Sequence, residues 1–207
     1  MEKGFEIKKI DEKIYERIRG KSFKAECEIK LEDLRYLKVL HKDMRGEKHE
    51  GELICNMYIA LDLLDIFEKL YEASYPIEKI RLIDEYEADD EKAMRDNNTS
   101  CFNYRLISHK KEISKHGLGL AVDVNALYNP YIKKVEGKRI LEPATAEKYV
   151  DREKKFPYKI TAKDMCCRKF KEHGFEWGGE WEDRKDYQHF EIPYEKIKIL
   201  YPEIYGK

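Results

Sequence analysis

Asp123 interrupts an otherwise apolar run, Leu118-Gly-Leu-Ala-Val-Asp-Val124. Read as a strand over 118–124, the run puts Leu120, Val122 and Val124 on one face and Ala121, Asp123 and Asn125 on the other. The apolar face belongs in a core, and a carboxylate centred on the opposite face needs a partner if it is buried. His116 stands just ahead of the strand, set off by Gly117 and Gly119. Those glycines let the chain turn, so the imidazole can swing back toward Asp123. Ala121 is small and leaves room beside the carboxylate.

Two further segments place polar residues in apolar surroundings. In Asp186-Tyr-Gln-His-Phe-Glu191, the residues Tyr187, His189 and Glu191 share one strand face, and Gln188, Phe190 and Ile192 the other. Asp186 has the wrong parity to lie beside His189 on a regular strand. It belongs to the turn leading in, where its carboxylate can hang over a metal without binding it. In Ser100-Cys-Phe-Asn-Tyr-Arg105, the residues Cys101, Asn103 and Arg105 have the same parity. His116, Asp123 and His189 make a three-ligand zinc set with one position open for water, the pattern of catalytic sites. Zinc lowers the pKa of bound water toward about 7. A nearby carboxylate can carry the proton to a leaving amine, and an arginine can hold a developing oxyanion. Taken singly, each residue has a plainer reading: a histidine near a strand is often a satisfied core or surface group, and His-x6-Asp arises by chance.

Composition narrows the classes further. A length of 207 residues suits one domain, or at most two small ones. Apolar residues at 42% and aromatics at 12% allow a packed core. Charged residues reach 40%, but 41 Lys+Arg nearly cancel 42 Asp+Glu, leaving a net charge of -1. That balance excludes the basic footprint of a nucleic-acid binder and an acidic tail. No run approaches the ~18 apolar residues of a membrane span. The opening MEKGFEIKKIDEK has no apolar signal-peptide core, which leaves a cytoplasmic protein or one whose leader is missing from this chain. Five cysteines without a C-x-x-C give neither a disulfide framework nor a thiolate zinc knuckle.

Along the chain, 34–41 alternates as a strand, 45–47 marks a turn, and 52–55 returns as its partner. Asn56 is expected to cap a helix to about residue 73, with Leu63, Leu64, Phe67, Leu70 and Tyr71 on its buried face. Residues 77–86, 100–107, 118–124 and 187–192 read as strands, and 90–95 as a short helix opened by Asp89-Asp90. Residues 128–159 read mostly as loop. Thr161 and Asp164 open another helix, carrying Cys166 and Cys167, and Gly174 stops it. Trp177-Gly-Gly179 reads as a loop. Strands and helices mix without β-α-β alternation, so the expected class is α+β.

Three strings occur in order: Asn97-Asn-Thr-Ser-Cys-Phe-Asn-Tyr-Arg105, Ser114-x-His-x-x-Gly-x-Ala-x-Asp123 and Asp186-Tyr-Gln-His-Phe-Glu191. With Asn129-Pro-Tyr131 and Phe175-Glu-Trp-Gly-Gly-Glu-Trp181 between the second and third, they resemble the zinc D-alanyl-D-alanine carboxypeptidase and L-alanyl-D-glutamate peptidase family of bacterial and phage cell-wall enzymes. The similarity runs from about residue 34 to 190. The resemblance implies a compact α+β fold in which a central antiparallel sheet, flanked by helices, carries the metal site. It also implies one zinc ion per chain, held by His116, Asp123 and His189. Asp186 would be the general base, and Arg105 would bind the scissile carbonyl oxygen. The substrate would be a peptidoglycan stem peptide or another D-Ala-D-Ala-containing peptide.

On this reading residues 34–207 form a single peptidase domain, with 1–33 an N-terminal arm or helix packed on it, and the protein acts as a monomer. Ser114, Trp177 and Tyr187 are the candidate substrate contacts, with Trp181 a second possible cleft wall; Ser114 serves equally as a turn cap. Glu191 reads as an outer carboxylate beside His189. Cys101 departs from the small residue expected there; it is either an apolar filler or an accessible thiol near zinc. His41, His49, His109 and His173 read as surface residues. Two other functions stand beside the peptidase: a non-catalytic zinc-stabilised binding module of the same fold, and a D,D-dipeptidase. The substrate implies the cell envelope or the extracellular space, with the cytoplasm as the alternative for a chain without a leader.

Overall fold

The computed structural model describes residues 4–107 and 112–205. It is an α+β fold, and its first layer is an antiparallel sheet with strands β1 (Glu6–Lys9), β2 (Leu34–Lys42) and β3 (Lys48–Asn56) in that order. The β2–β3 ladder runs from Leu34↔Asn56 to Lys42↔Lys48. Between them Asp43 Oδ1 accepts the amides of Arg45 and Glu47, and Gly46 takes the left-handed φ of 77° that closes the turn. The N-terminal segment adds β1 to the edge of β2 and helix α1 (Glu12–Ile18), whose Ile14 and Ile18 are buried.

Helix α2 (Ala60–Glu72) buries Leu63, Leu64, Phe67, Leu70 and Tyr71, the face expected from its spacing, and packs against β2. It starts at Ala60, later than expected, because Asn56 is the last residue of β3. The Asn56 side chain donates to the Leu118 carbonyl at 3.0 Å and to the Tyr201 hydroxyl at 2.5 Å, and its Oδ1 accepts the Tyr58 amide at 3.1 Å in the turn that leads to the helix.

Residues 77–86 are not one strand. Only β4 (Lys79–Ile80) pairs, in parallel with β5 (Asn98–Thr99). The Arg81 amide is taken by Asn98 Oδ1, and the chain then closes into a 3-10 turn at Ile83–Tyr86. Helix α3 (Asp90–Arg95) follows, capped by Asp89. Residues 100–107 also form no ladder, since their amides go to different partners: Ser100 to Asp123, Phe102 to Ile54, Asn103 to His116 and Tyr104 to Ser22. The segment threads between β3, the N-terminal region and the turn that carries His116.

Beyond it come β6 (Ala121–Asp123), β7 (Tyr131–Val135), β8 (Lys138–Glu142), helix α4 (Met165–Glu172), β9 (Glu176–Trp177), β10 (Arg184–Asp186), β11 (His189–Glu191), and helices α5 (Tyr194–Leu200) and α6 (Pro202–Tyr205). They build two antiparallel sheets, β10–β7–β8 and β6–β11–β9. The β7–β8 hairpin replaces the loop expected over 128–159. Glu136 and Gly137, both at positive φ, form its two-residue turn. Helix α4 has the expected Asp164 cap and Gly174 stop. Its Phe170 stacks on Phe190 of β11, with centroids 4.2 Å apart, and meets Phe67 of α2 edge-on at 6.4 Å. This aromatic column lies beneath the strand that carries His189. Among the described residues no helix is long and apolar enough to cross a membrane.

Candidate metal centre and active site

Antiparallel pairing of β6 and β11 sets His189 directly opposite Asp123. His116 joins them from the turn ahead of β6. Ser114 Oγ accepts the His116 amide at 3.3 Å, so this hydroxyl caps the turn, the second of its two expected roles. Gly119 takes a left-handed φ of 67°, and a Cβ there would lie 2.7 Å from the Asn56 amide nitrogen. Only glycine lets the turn lie this close to β3.

Three donor atoms converge. His116 Nε2 is 3.2 Å from Asp123 Oδ2, His189 Nδ1 is 3.0 Å from Asp123 Oδ1, and the two nitrogens are 3.2 Å apart. Each ring has its other nitrogen occupied. His116 Nδ1 lies 2.7 Å from the Cys101 carbonyl and His189 Nε2 lies 2.9 Å from Glu191 Oε2. Both partners only accept, so those nitrogens carry hydrogen and the facing pair is left to a cation or a proton. Four ligands at ~2.0–2.1 Å around tetrahedral zinc lie roughly 3.3 Å apart, close to the spacing found here. The N, N, O donor set and its spacing therefore fit a zinc-type ion.

The electrostatics agree. Burial disfavours charge on Asp123, but the His116 and His189 imidazoles outweigh it and hold the carboxyl well below its usual range. Burial also opposes charge on His189, yet Asp123 and Glu191 push its pKa up to about 10. In the metal-free chain a proton thus takes the place that a cation would occupy. Among the described residues a second acidic–imidazole group, Asp43, Glu47 and His49, lies on the β2–β3 turn. Arg45 already pairs with its carboxylates at 3.5 and 3.2 Å.

Asp186 is the last residue of β10, paired with Tyr131, and so is not in a turn as its parity suggested; the bend follows it, at 187–188, before β11. Gly178 leaves room for this strand end, since a Cβ there would lie 2.6 Å from the Asp186 carbonyl. Asp186 Oδ1 is buried and has no hydrogen-bond partner among the described residues. Burial pushes its carboxyl up to about 7; His189 and His116 pull it down, and Asp123 adds to the rise. Arg105 sits farther out. Its Nε lies 2.5 Å from Asp90 Oδ2 on α3, and Asp90 Oδ1 accepts from Asn103 Nδ2 at 2.9 Å. Burial raises the pKa of Glu142, at the end of β8, while Arg105 lowers it and Asp123 adds to the rise.

The aromatic residues divide differently from the sequence expectation. Trp177 is buried, donates its Nε1–H to the Tyr187 carbonyl at 2.9 Å and stacks on Phe190. It supports β11. Tyr187 is half-buried under the Arg152 guanidinium, 4.2 Å from its ring centre. Trp181 is the aromatic against the metal centre, its ring 5.4 Å from that of His189 and covered by Arg184 at 4.2 Å. The Cys101 thiol is buried and points at the Gly119 carbonyl, 3.6 Å away, so it is no accessible thiol. Its backbone carbonyl is the part that serves the site. His41 is buried, contrary to expectation; His49 is half-exposed, His173 bridges Asp62 and Asp65, and His109 lies outside the described residues.

Residues 108–192 match the family model described as D-alanyl-D-alanine carboxypeptidase. They include His116, Asp123, Asp186 and His189, whereas Arg105 lies just before them. No curated protein and no solved structure matches the chain. The match supports a peptidase of the D-alanyl-D-alanine carboxypeptidase kind, and the His/Asp/His group is what a metallopeptidase requires. Residues 108–192, which carry the His/Asp/His group, thus resemble the D-alanyl-D-alanine carboxypeptidase family, a family of metallopeptidases.

Proposed function

We propose that the chain is a zinc-dependent peptidase that hydrolyses a stem-peptide bond of peptidoglycan, either D-Ala–D-Ala or L-Ala–D-Glu. The observation that carries this reading is the pairing of an incomplete donor set with a buried carboxylate that has one oxygen free of hydrogen bonds among the described residues. His116, Asp123 and His189 supply three ligand atoms, and the unpartnered Asp186 oxygen is buried beside them. Three protein ligands leave a position for water, as in catalytic rather than structural sites. When bound, zinc would polarise the scissile carbonyl and acidify water.

The remaining chemistry falls to the chain's own groups. Asp186, with a pKa raised to about 7, is poised to take the proton of the attacking water and return it to the departing amine. Arg105, whose Nε pairs with Asp90 at 2.5 Å, would supply the cation that holds the carbonyl oxygen as charge develops there. Trp181 forms an apolar wall beside His189. Such a substrate would put the work of this chain at the cell envelope.

Digestion of intact sacculi, isolated muropeptides and free D-Ala-D-Ala by the zinc-loaded protein, read by mass spectrometry, tests the proposal. Loss of a terminal alanine from the stem identifies a carboxypeptidase, and separation of L-Ala from D-Glu an endopeptidase. Cleavage of the free dipeptide alone would make it a dipeptidase. No cleavage of any of them would replace the enzyme with a zinc-stabilised binding module.

A further inference from the structure

Lys115 adjoins one ligand in sequence and reaches toward another in space. Its Nζ lies 2.6 Å from Glu191 Oε1 and 3.2 Å from the Ile192 carbonyl. The other Glu191 oxygen accepts the His189 Nε2–H at 2.9 Å. The Lys115 and Glu191 side chains are 19% and 12% exposed. The Lys115 carbonyl is fixed within the turn, where it accepts the amides of Leu118 and Leu120.

We propose that Lys115 is a positioning residue for the metal centre, acting through Glu191 to fix the plane of the His189 ring. The proposal rests on the reading of His116, Asp123 and His189 as metal ligands. The terminal torsion of a glutamate is broad, so a carboxylate held at one oxygen turns easily. Glu191 is held at both, by an imidazole N–H on one side and an ammonium on the other. Its plane is set, the ring plane of His189 follows, and Nδ1 is kept aimed at Asp123. The same contact ties the turn that bears His116 to the strand that bears His189. A buried ion pair contributes little net stability, because desolvation of both charges offsets their attraction. The consequence of this pair therefore lies in the geometry of the ligand set. Outer-shell partners of this kind change metal affinity by about 10–100-fold when removed.

Competition for zinc against a coloured chelator, on the full chain, tests the role without relying on activity. Lys115→Met keeps the apolar stem and removes the charge; its zinc affinity falls about 10–100-fold. Lys115→Arg keeps a cation and stays near wild type. Glu191→Gln weakens binding as well, and adding Lys115→Met to it causes no further loss, because the lysine acts through the glutamate. The role of Lys115 is overturned if Lys115→Met binds zinc as wild type does, if Lys115→Arg falls as far as Lys115→Met, or if the two losses multiply in the double variant. A wild type that takes up no zinc, or a His189→Ala variant that binds it equally well, overturns the metal reading itself. The wild type and His189→Ala thus separate that failure from a failure confined to Lys115.

Discussion

His116 Nε2 and His189 Nδ1 face each other at 3.2 Å while each ring spends its other nitrogen elsewhere, on the Cys101 carbonyl and the Glu191 carboxylate. Two imidazoles so arranged, with Asp123 beside both, leave a gap that only a proton or a cation fills. The expected outcome is one zinc per wild-type chain after dialysis and none in His189→Ala, by elemental analysis. Cys101→Ala should keep its zinc, because the carbonyl that orients His116 belongs to the backbone. Full zinc occupancy in His189→Ala would remove His189 from the ligand set.

Asp186 offers a buried oxygen with no hydrogen-bond partner among the described residues, and Asp186→Asn keeps the shape of that group while removing its basicity. Zinc content should stay at the wild-type level, and kcat should fall by about 10²–10⁴. Stability should move the other way. A carboxyl pushed up to about 7 in the fold ionises more readily when unfolded, so its burden on the fold grows as pH rises from the unfolded value of 3.8 through 7. The metal-free Asp186→Asn chain should therefore melt a few degrees above metal-free wild type at pH 8, and at the same temperature near pH 3. Thermal scans at the two pH values measure both. A variant less stable than wild type at pH 8 would mean that the partners of the charged carboxylate outweigh the cost of burying it.

Much of this site is legible in the sequence because its determinants are local. Strand parity puts Asp123 and His189 on definite faces and the glycines after His116 let its ring turn back, but the pairing of β6 with β11 that joins them is a long-range contact, which only the family resemblance anticipated. Parity also puts Glu191 on the His189 face. The α2 face is equally readable, since one side of that helix is apolar and the other charged. The misses have physical causes. The β7–β8 strands are solvent-exposed along most of their length, so they lack an apolar alternation to read. Residues 100–107 are extended but give each amide to a different partner, which no periodicity records. Any residue at 101 could supply the carbonyl that His116 needs, so the side chain there carries no signal. Trp177 and Trp181 are equivalent as sequence; the 3-10 turn at Gly178–Glu180 sends one into the core and the other to His189.

The cysteines should be quiet in the native state. Cys55, Cys101, Cys166 and Cys167 are buried, and burial pushes each thiol up, Cys167 to about 11. Cys27 alone is partly exposed, and burial raises it to about 11 as well. A thiolate is the reactive form, so alkylation near neutral pH should be slow at Cys27 and slower at the other four. Iodoacetamide labelling followed by peptide mapping should find Cys27 modified first and all five only in denaturant. Native labelling of Cys101 at the rate of Cys27 would show that the turn carrying His116 opens in solution.

His41 makes the stability of the fold pH-dependent away from the metal centre. It is 4% exposed, its Nδ1 lies 2.7 Å from the Ile77 carbonyl, and its ring stacks on that of His49 with centroids 5.2 Å apart. Burial lowers its pKa from 6.5 to about 4; the Ile77 carbonyl and Asp43 resist that fall, and His49 adds to it. The unfolded chain therefore takes up the proton first. Stability is fully present above pH 6.5 and is lost as pH falls from there toward 4, by up to roughly 3 kcal/mol at about 1.4 kcal/mol per pKa unit. Asn in place of His41 keeps a donor for Ile77 but cannot be protonated. Urea unfolding of the two metal-free chains at pH 7.5 and 4.5 isolates this contribution. Wild type should be the more stable at pH 7.5, and the difference should shrink or reverse at pH 4.5. Parallel losses in the two chains would mean that His41 takes up its proton as readily in the fold as in the unfolded chain.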